Sequence, residues 1–84
     1  MQLEVVTPTG SAVQTAADEV IVPGAEGEFD VLPGHTPFMS ALRPGILRYR
    51  HGSENQTLAI GPGLVEVTGA DKIVVLTDRA VRPD

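Results

Sequence analysis

The sequence predicts an all-β fold, an antiparallel sandwich or barrel of short strands. Three observations carry that expectation. Apolar and polar residues alternate with a period of two in a series of short runs, and the Pro-Gly pairs 23–24, 33–34, 44–45 and 62–63 punctuate the chain between them. No window of about 12 residues keeps a helical period of 3.6 free of breakers. Turns spaced by roughly 10 residues between alternating runs are the mark of a sheet protein.

Taken in order, "QLEVV" sets Leu3 and Val5 against Gln2 and Glu4, and "DEVIV" sets Val20 and Val22 against Glu19 and Ile21. Each run is expected to bury one face. "ILRYR" opposes Leu47 and Tyr49 to Arg48 and Arg50, "TLAI" pairs Leu58 with Ile60, and "LVEVT" sets Val65 and Val67 opposite Glu66. "KIVVLT" is apolar on both faces from Ile73 to Leu76, so a strand covered on both sides is expected there, a partner being one candidate for the second cover. Proline presets φ for the second position of a turn and glycine accepts positive φ at the third, so all four Pro-Gly pairs are expected to make type II turns. A frayed helical turn in "TDRAVRPD" is the one helical expectation.

The chain has 84 residues, which predicts one domain over 1–84. Hydrophobic residues make up 42% with only three aromatics, so the core should consist of Val, Leu, Ile and Ala. Without cysteine there is no disulfide framework, thiolate nucleophile or cysteine zinc site. A net charge of -5 argues against nucleic-acid binding, which needs clustered Lys and Arg. Arg43, Arg48 and Arg50 do cluster, but as a solvated sheet face. No apolar run reaches membrane-spanning length, and the N-terminus lacks a basic start and apolar signal core, so a soluble, unexported chain is expected.

Catalytic machinery is hard to find in these residues. His35 and His51 are the only imidazoles, and neither has a partner at diagnostic spacing. "GAEGEFDVLPG" has glycines but no lysine after them and no following helix, so it is no phosphate loop, and Ser11, Ser40 and Ser53 sit in no nucleophile elbow. Glu26, Glu28, Asp30 and His35 could in principle gather round a cation. What stands out instead is a polar loop stiffened by Pro-Gly turns, able to present Glu28, Phe29 and His35 with little entropy left to lose on binding.

"EVVTP", "VPGAEGEFDVLPGHTPFMSALRPGILRYR" and "GPGLVEVTGADKIVVLTDRA", in this order, resemble the N-terminal domain of the epsilon subunit of bacterial F-type ATP synthases. The most specific part is the Gly-Glu-aromatic core ending in Pro-Gly-His, with Pro37 and the Leu-x-Pro-Gly of residues 42–45 behind it. The resemblance implies a flattened antiparallel β-sandwich of two sheets with roughly eight to ten short strands. It implies a non-catalytic rotor subunit at the foot of the central stalk, bound to the gamma subunit and the c-ring on the cytoplasmic face of the bacterial inner membrane. No cofactor, metal or small-molecule substrate is implied.

By the same resemblance Glu26, Glu28, Phe29 and His35 face the c-ring, with an ordinary turn cap as the alternative role for His35. Thr7, Val13, Thr36, Met39 and Ser40 face gamma, Met39 being equally suited to filling core. Asp30 stands where the family commonly has glycine, and Pro62 where a second glycine is frequent. The family usually continues into a C-terminal helical hairpin that inhibits hydrolysis and in some members binds ATP; ending at Asp84, this sequence is expected to do neither. The rival reading is a free-standing β-sandwich that binds a metal or ligand through Glu28, Asp30 and His35.

Overall fold

The computed structural model describes residues 1–82. Ten strands follow in chain order: β1 Gln2–Thr7, β2 Gly10–Ala16, β3 Glu19–Gly24, β4 Gly27–Val31, β5 Phe38–Leu42, β6 Gly45–His51, β7 Glu54–Ile60, β8 Gly63–Thr68, β9 Lys72–Thr77 and β10 Ala80–Val81. No helix occurs among the described residues. Ala80–Val81, read in the sequence as a frayed helical turn, instead extends the β7 edge; Pro83 and Asp84 of that stretch lie outside the described residues.

Hydrogen bonding runs in the order β10-β7-β6-β3-β5-β8-β9-β1-β2, with β4 on the flank of β3. Between β3 and β5 the ladder narrows to the pair Gly24↔Leu42. The strands therefore divide into two layers, β10-β7-β6-β3-β4 and β5-β8-β9-β1-β2, hinged at one corner. This is the sandwich the sequence predicts, with one departure. β1 and β9 run parallel, Leu3 beside Ile73 and Val5 beside Val75. Hairpins force antiparallel pairing only between strands that a short turn connects, and β1 and β9 are separated by most of the chain.

The core follows the alternation read from the sequence. Leu3, Val5, Val20, Val22, Leu47, Tyr49, Leu58, Ile60, Val65, Val67, Ile73 and Val75 are all buried in one cluster. Thr77, the buried polar residue among the described residues, places its hydroxyl within reach of the Pro62 and Arg79 carbonyl oxygens, at 3.0 and 3.3 Å. β2, β4 and β5 escape pattern reading because each contributes a single buried side chain: Val13, Val31 and Leu42. Within the chain β9 is covered on one side only. Ile73 and Val75 point inward, whereas Leu76 on the other face is 48% exposed.

Only one of the four Pro-Gly pairs makes the expected type II turn. Gly34 has φ +81° and the His35 N–H donates to the Leu32 carbonyl at 3.1 Å. Gly24 closes β3, while Gly45 and Gly63 open β6 and β8, all without positive φ. These glycines answer to close approach and not to turn geometry. A β-carbon at Gly24 would stand 2.8 Å from the Phe29 ring, one at Gly45 would press on Pro23, and one at Gly63 would collide with the Leu76 carbonyl oxygen of β9.

Two substitutions check this packing. Leu47→Ala should destabilise the chain by about 2 to 5 kcal/mol, since Leu47 is wholly buried and its loss leaves a cavity. Gly63→Ala should cost about 1 to 3 kcal/mol by forcing β8 off β9. Urea unfolding measures both, and an unchanged midpoint for Leu47→Ala would mean the wrong strand face had been placed in the core.

Candidate docking surfaces

The two layers present outer faces of different chemistry. On β3, β4 and β6 the outward residues Glu19, Glu28, Asp30, Arg48 and Arg50 carry charge around the apolar Ile21, and oppositely charged ones pair across the strands. Arg48 pairs with Glu28 at 3.0 Å, and Arg50 lies 3.6 Å from Glu19 and 3.8 Å from Asp18. Arg48 and Arg50 thus form the solvated face the sequence suggests, with acidic partners, whereas Arg43 lies apart from it in the β5–β6 turn and donates to the Ala25 carbonyl at 2.8 Å.

The outer face of the second layer is apolar at its centre. Because Val65, Val67, Ile73 and Val75 point inward, their neighbours point out, and the register sets Ala41, Leu64, Leu76 and Val6 side by side across four strands. Leu64 and Leu76 are each 48% exposed. One step along the strands, Met39, Glu66, Val74 and Glu4 form the adjacent row, and Met39 is 63% exposed, so it does not fill the core. Lys72 meets Glu4 at 3.5 Å on its border.

The residues assigned to the c-ring by resemblance lie along β4 and its two ends. Glu26 is exposed in the β3–β4 turn, and Glu28 follows at the start of β4 in its pair with Arg48. Phe29 is half-buried and meets Phe38 edge to face, centroids 5.1 Å apart. His35 lies past the other end of β4 with its ring 5.1 Å from Phe38, and its Nδ1 stands 2.7 Å from the Thr36 carbonyl oxygen. Phe38 thus links Phe29 to His35, while Glu26 and Glu28 stand apart from them.

Those assigned to gamma divide. Thr7 flanks the apolar row at the β1–β2 turn, where its hydroxyl is 3.3 Å from the Gly10 carbonyl oxygen, and Met39 lies on the row's own face. Thr36 is exposed in the β4–β5 loop. Val13 requires correction: it is 8% exposed and belongs to the core, so its side chain is not available to a partner. Ser40 is half-buried, alternates with the outward Met39, and donates to the Ala41 carbonyl at 3.0 Å. Leu64, Val6 and Ala41 were not singled out in the sequence. The signal was present in "KIVVLT", whose second apolar face is part of this surface, but their membership depends on register.

The rival cation site finds no geometry. Among the described residues no three His, Asp or Glu side chains are arranged to hold a metal ion, and Glu28, Asp30 and His35 do not converge. A polar cleft of about 550 Å³ opens between β2 and the β6–β7 hairpin. Arg82 lies in it, donating to the Tyr49 hydroxyl at 2.8 Å and to Gln56 Oε1 at 3.2 Å. These contacts join polar groups without a nucleophile and base in partnership.

The family model for the beta-sandwich domain of the ATP synthase Delta/Epsilon chain matches residues 1–83. The chain belongs to that family. It is 42% identical over its full length to ATP synthase epsilon chain 2 of Syntrophotalea carbinolica, and 44% identical over 80 residues, 95% of its length, to the ATP synthase epsilon chain of Myxococcus xanthus. It spans 60% of the first of these relatives and 58% of the second. Among solved structures it is similar to a chain in the mitochondrial ATP synthase of Euglena gracilis, described as OSCP/F1/c-ring in a rotational state. There the TM-score is 0.89 at 26% identity, over 95% of this chain and 51% of the other. A chain of the Tetrahymena thermophila mitochondrial ATP synthase central stalk and c-ring shares the fold, with TM-score 0.83 at 16% identity over 98% of this chain and 66% of the other.

Two carboxylates of the charged face respond to pH in opposite senses. What burial Asp30 has, and then the hydrogen bond and charge of Glu19, push its carboxyl above the ordinary 3.8, with Arg50 opposing. The Gly52 N–H, 2.6 Å from Asp18 Oδ2, holds Asp18 below that value, helped by His51 and Arg50. A raised carboxylate pKa penalises the folded state progressively as the pH rises from the unfolded value, fully above the folded one, and a lowered one supports it until the pH falls through the folded value. Asp30→Asn should therefore be more stable than the parent at neutral pH, by no more than about 0.5 kcal/mol because the site is exposed. The difference should vanish near about pH 3, where both states bind the proton. Asp18→Asn should instead lower stability at neutral pH, with the difference shrinking on acidification. Urea midpoints across the pH range decide both signs.

Proposed function

We propose that this chain is a non-catalytic part of an ATP synthase central stalk, a rigid platform that holds a stalk subunit of the gamma type on one face and meets the c-ring along its β4 side. The observation that carries this reading is the apolar row of Ala41, Leu64, Leu76 and Val6 on the outer face of a small domain whose opposite face is laced with ion pairs. Exposed aliphatic side chains set in register across four strands form a flat, preorganised surface, and burying it against a partner is favourable at about 25 cal/mol per Å² of apolar area.

Family membership supports the setting, since relatives at 42 and 44% identity are ATP synthase epsilon chains. Thr7 and Met39 border the apolar row and extend the gamma-facing surface. Glu26, Glu28, Phe29 and His35 supply the ring-facing side, where an acidic hairpin tip suits polar loops of a membrane-embedded ring. No helix among the described residues is long and apolar enough to cross a membrane, and the chain reaches the cytoplasmic face of the bacterial inner membrane through its partners. It contributes coupling of ion flow to ATP synthesis by holding the stalk to the ring, without a catalytic residue, metal or cofactor of its own.

Leu64→Glu places a charge in the centre of the apolar row and should weaken binding to the gamma-type subunit at least about tenfold. Its unfolding free energy should move by about 0.5 kcal/mol or less, as expected for a surface position. Glu28→Ala should leave stability and gamma binding nearly intact, because exposed ion pairs are worth about 0 to 1 kcal/mol, but should lower ion pumping in reconstituted enzyme. Wild-type gamma affinity in Leu64→Glu would remove the apolar face from the stalk interface.

A further inference from the structure

The loop that carries His35 and Thr36 is held from outside itself. Pro33 and Pro37 have no N–H to donate, and the His35 N–H is used within the loop on the Leu32 carbonyl. The Gly34 N–H instead leaves the loop and donates to Asp71 Oδ1 at 3.0 Å. Asp71 is the last residue of the turn between β8 and β9, 37 positions further along the chain. The same turn leans on the far end of the loop, since a β-carbon built on Gly69 would stand 3.7 Å from the Pro37 ring.

The backbone at Asp71 is unusual for its residue type. Its φ is +56°, in the left-handed region, at the position of a three-residue hairpin turn where glycine is the easiest occupant. Aspartate and asparagine tolerate this conformation better than other side chains but less well than glycine. A carboxylate at a glycine position is accounted for by what it touches: Oδ1 takes the Gly34 N–H, and Oδ2 lies 3.8 Å from the Met1 ammonium. The Asp71 carbonyl accepts from the Gln2 N–H at 3.0 Å, so the turn is itself fixed to β1.

We propose that Asp71 is the positioning residue of the docking loop: by holding Gly34 it fixes the Pro33-Gly34 turn, keeps the His35 ring against Phe38 and leaves Thr36 presented to a partner. Two prolines already limit the loop's backbone, so one long-range hydrogen bond selects between the few arrangements that remain, and a partner meets a loop with little order left to impose. This inference rests on the proposed stalk function for its consequence in binding, while the anchoring itself is a property of the isolated chain.

Asp71→Gly keeps the positive φ and removes the carboxylate; Asp71→Asn keeps both the φ and an Oδ1 acceptor. In the labelled chain, Gly34 amide exchange should quicken by about tenfold or more in Asp71→Gly, with motion appearing at residues 33–37 and the Val65 and Val75 amides unchanged. Affinity for an assembled stalk of gamma subunit and c-ring should fall about tenfold alongside, and Asp71→Asn should restore both readouts. Unchanged Gly34 exchange in Asp71→Gly, equal quickening at Val65 and Val75, or failure of the Asn variant to rescue would overturn the anchor. A loosened loop with unchanged stalk affinity would overturn its part in docking. If the parent chain itself failed to bind the stalk, the proposed function would fall, and the exchange data would still decide the anchor.

Discussion

The structure depends on one corner, where β3 leaves the first layer and touches the second. Val20 and Ile21 of β3 pair with β6, but at Pro23 the strand has no N–H to give, and from there its edge turns to β5. Arg43 N donates to the Pro23 carbonyl at 3.0 Å, Ala25 N donates to the Ala41 carbonyl at 2.9 Å, and the Arg43 guanidinium closes on the Ala25 carbonyl at 2.8 Å. Two Pro-Gly segments meet here, because Gly45 lets Pro23 approach to a distance at which a side chain would crowd it. A chain of this size buries too little surface to hold two separate sheets loosely, so a shared corner that closes one side of the sandwich is a large part of its rigidity.

Rigidity at the corner decides how the outer surfaces are used. The charged face of β3, β4 and β6 and the apolar row of β1, β5, β8 and β9 are fixed back to back across a single core, so partners docked as proposed on one face and along the β4 side would be held at a constant angle. The ion pairs on the charged face add little stability, being exposed. They keep that face wet while the opposite face remains free for association. In the proposed stalk role, where the chain would transmit position between other proteins, a stiff body with chemically distinct sides matters more than a reactive group.

Much of this was legible in the sequence, for a physical reason. Leu3, Val20, Leu47, Val65 and their alternates follow a period of two because each strand has one face against the core, and the family resemblance rests on the same turns and strands. The type II reading of Pro23-Gly24, Pro44-Gly45 and Pro62-Gly63 failed because a glycine that admits a neighbouring strand and a glycine that admits positive φ look alike in one dimension. Val13 was misplaced for a related reason: β2 has one inward side chain, so its facing is set by pairing with Val5 and by the bulge after it. Neither the Ala41–Leu64–Leu76–Val6 row nor the hydrogen bond from Gly34 to Asp71 can be read from spacing, since both join segments far apart in the chain.

Side-chain footprinting of the chain, free and in complex with the gamma subunit, tests most directly whether the apolar face is the stalk interface. Solvent labelling at Leu64, Leu76 and Met39 should fall on complex formation, while labelling at Arg48, Arg50 and Thr57 on the charged face stays as it is in the free chain. Protection of the charged face with Leu64 and Leu76 still open to label would contradict the account and turn the platform the other way round.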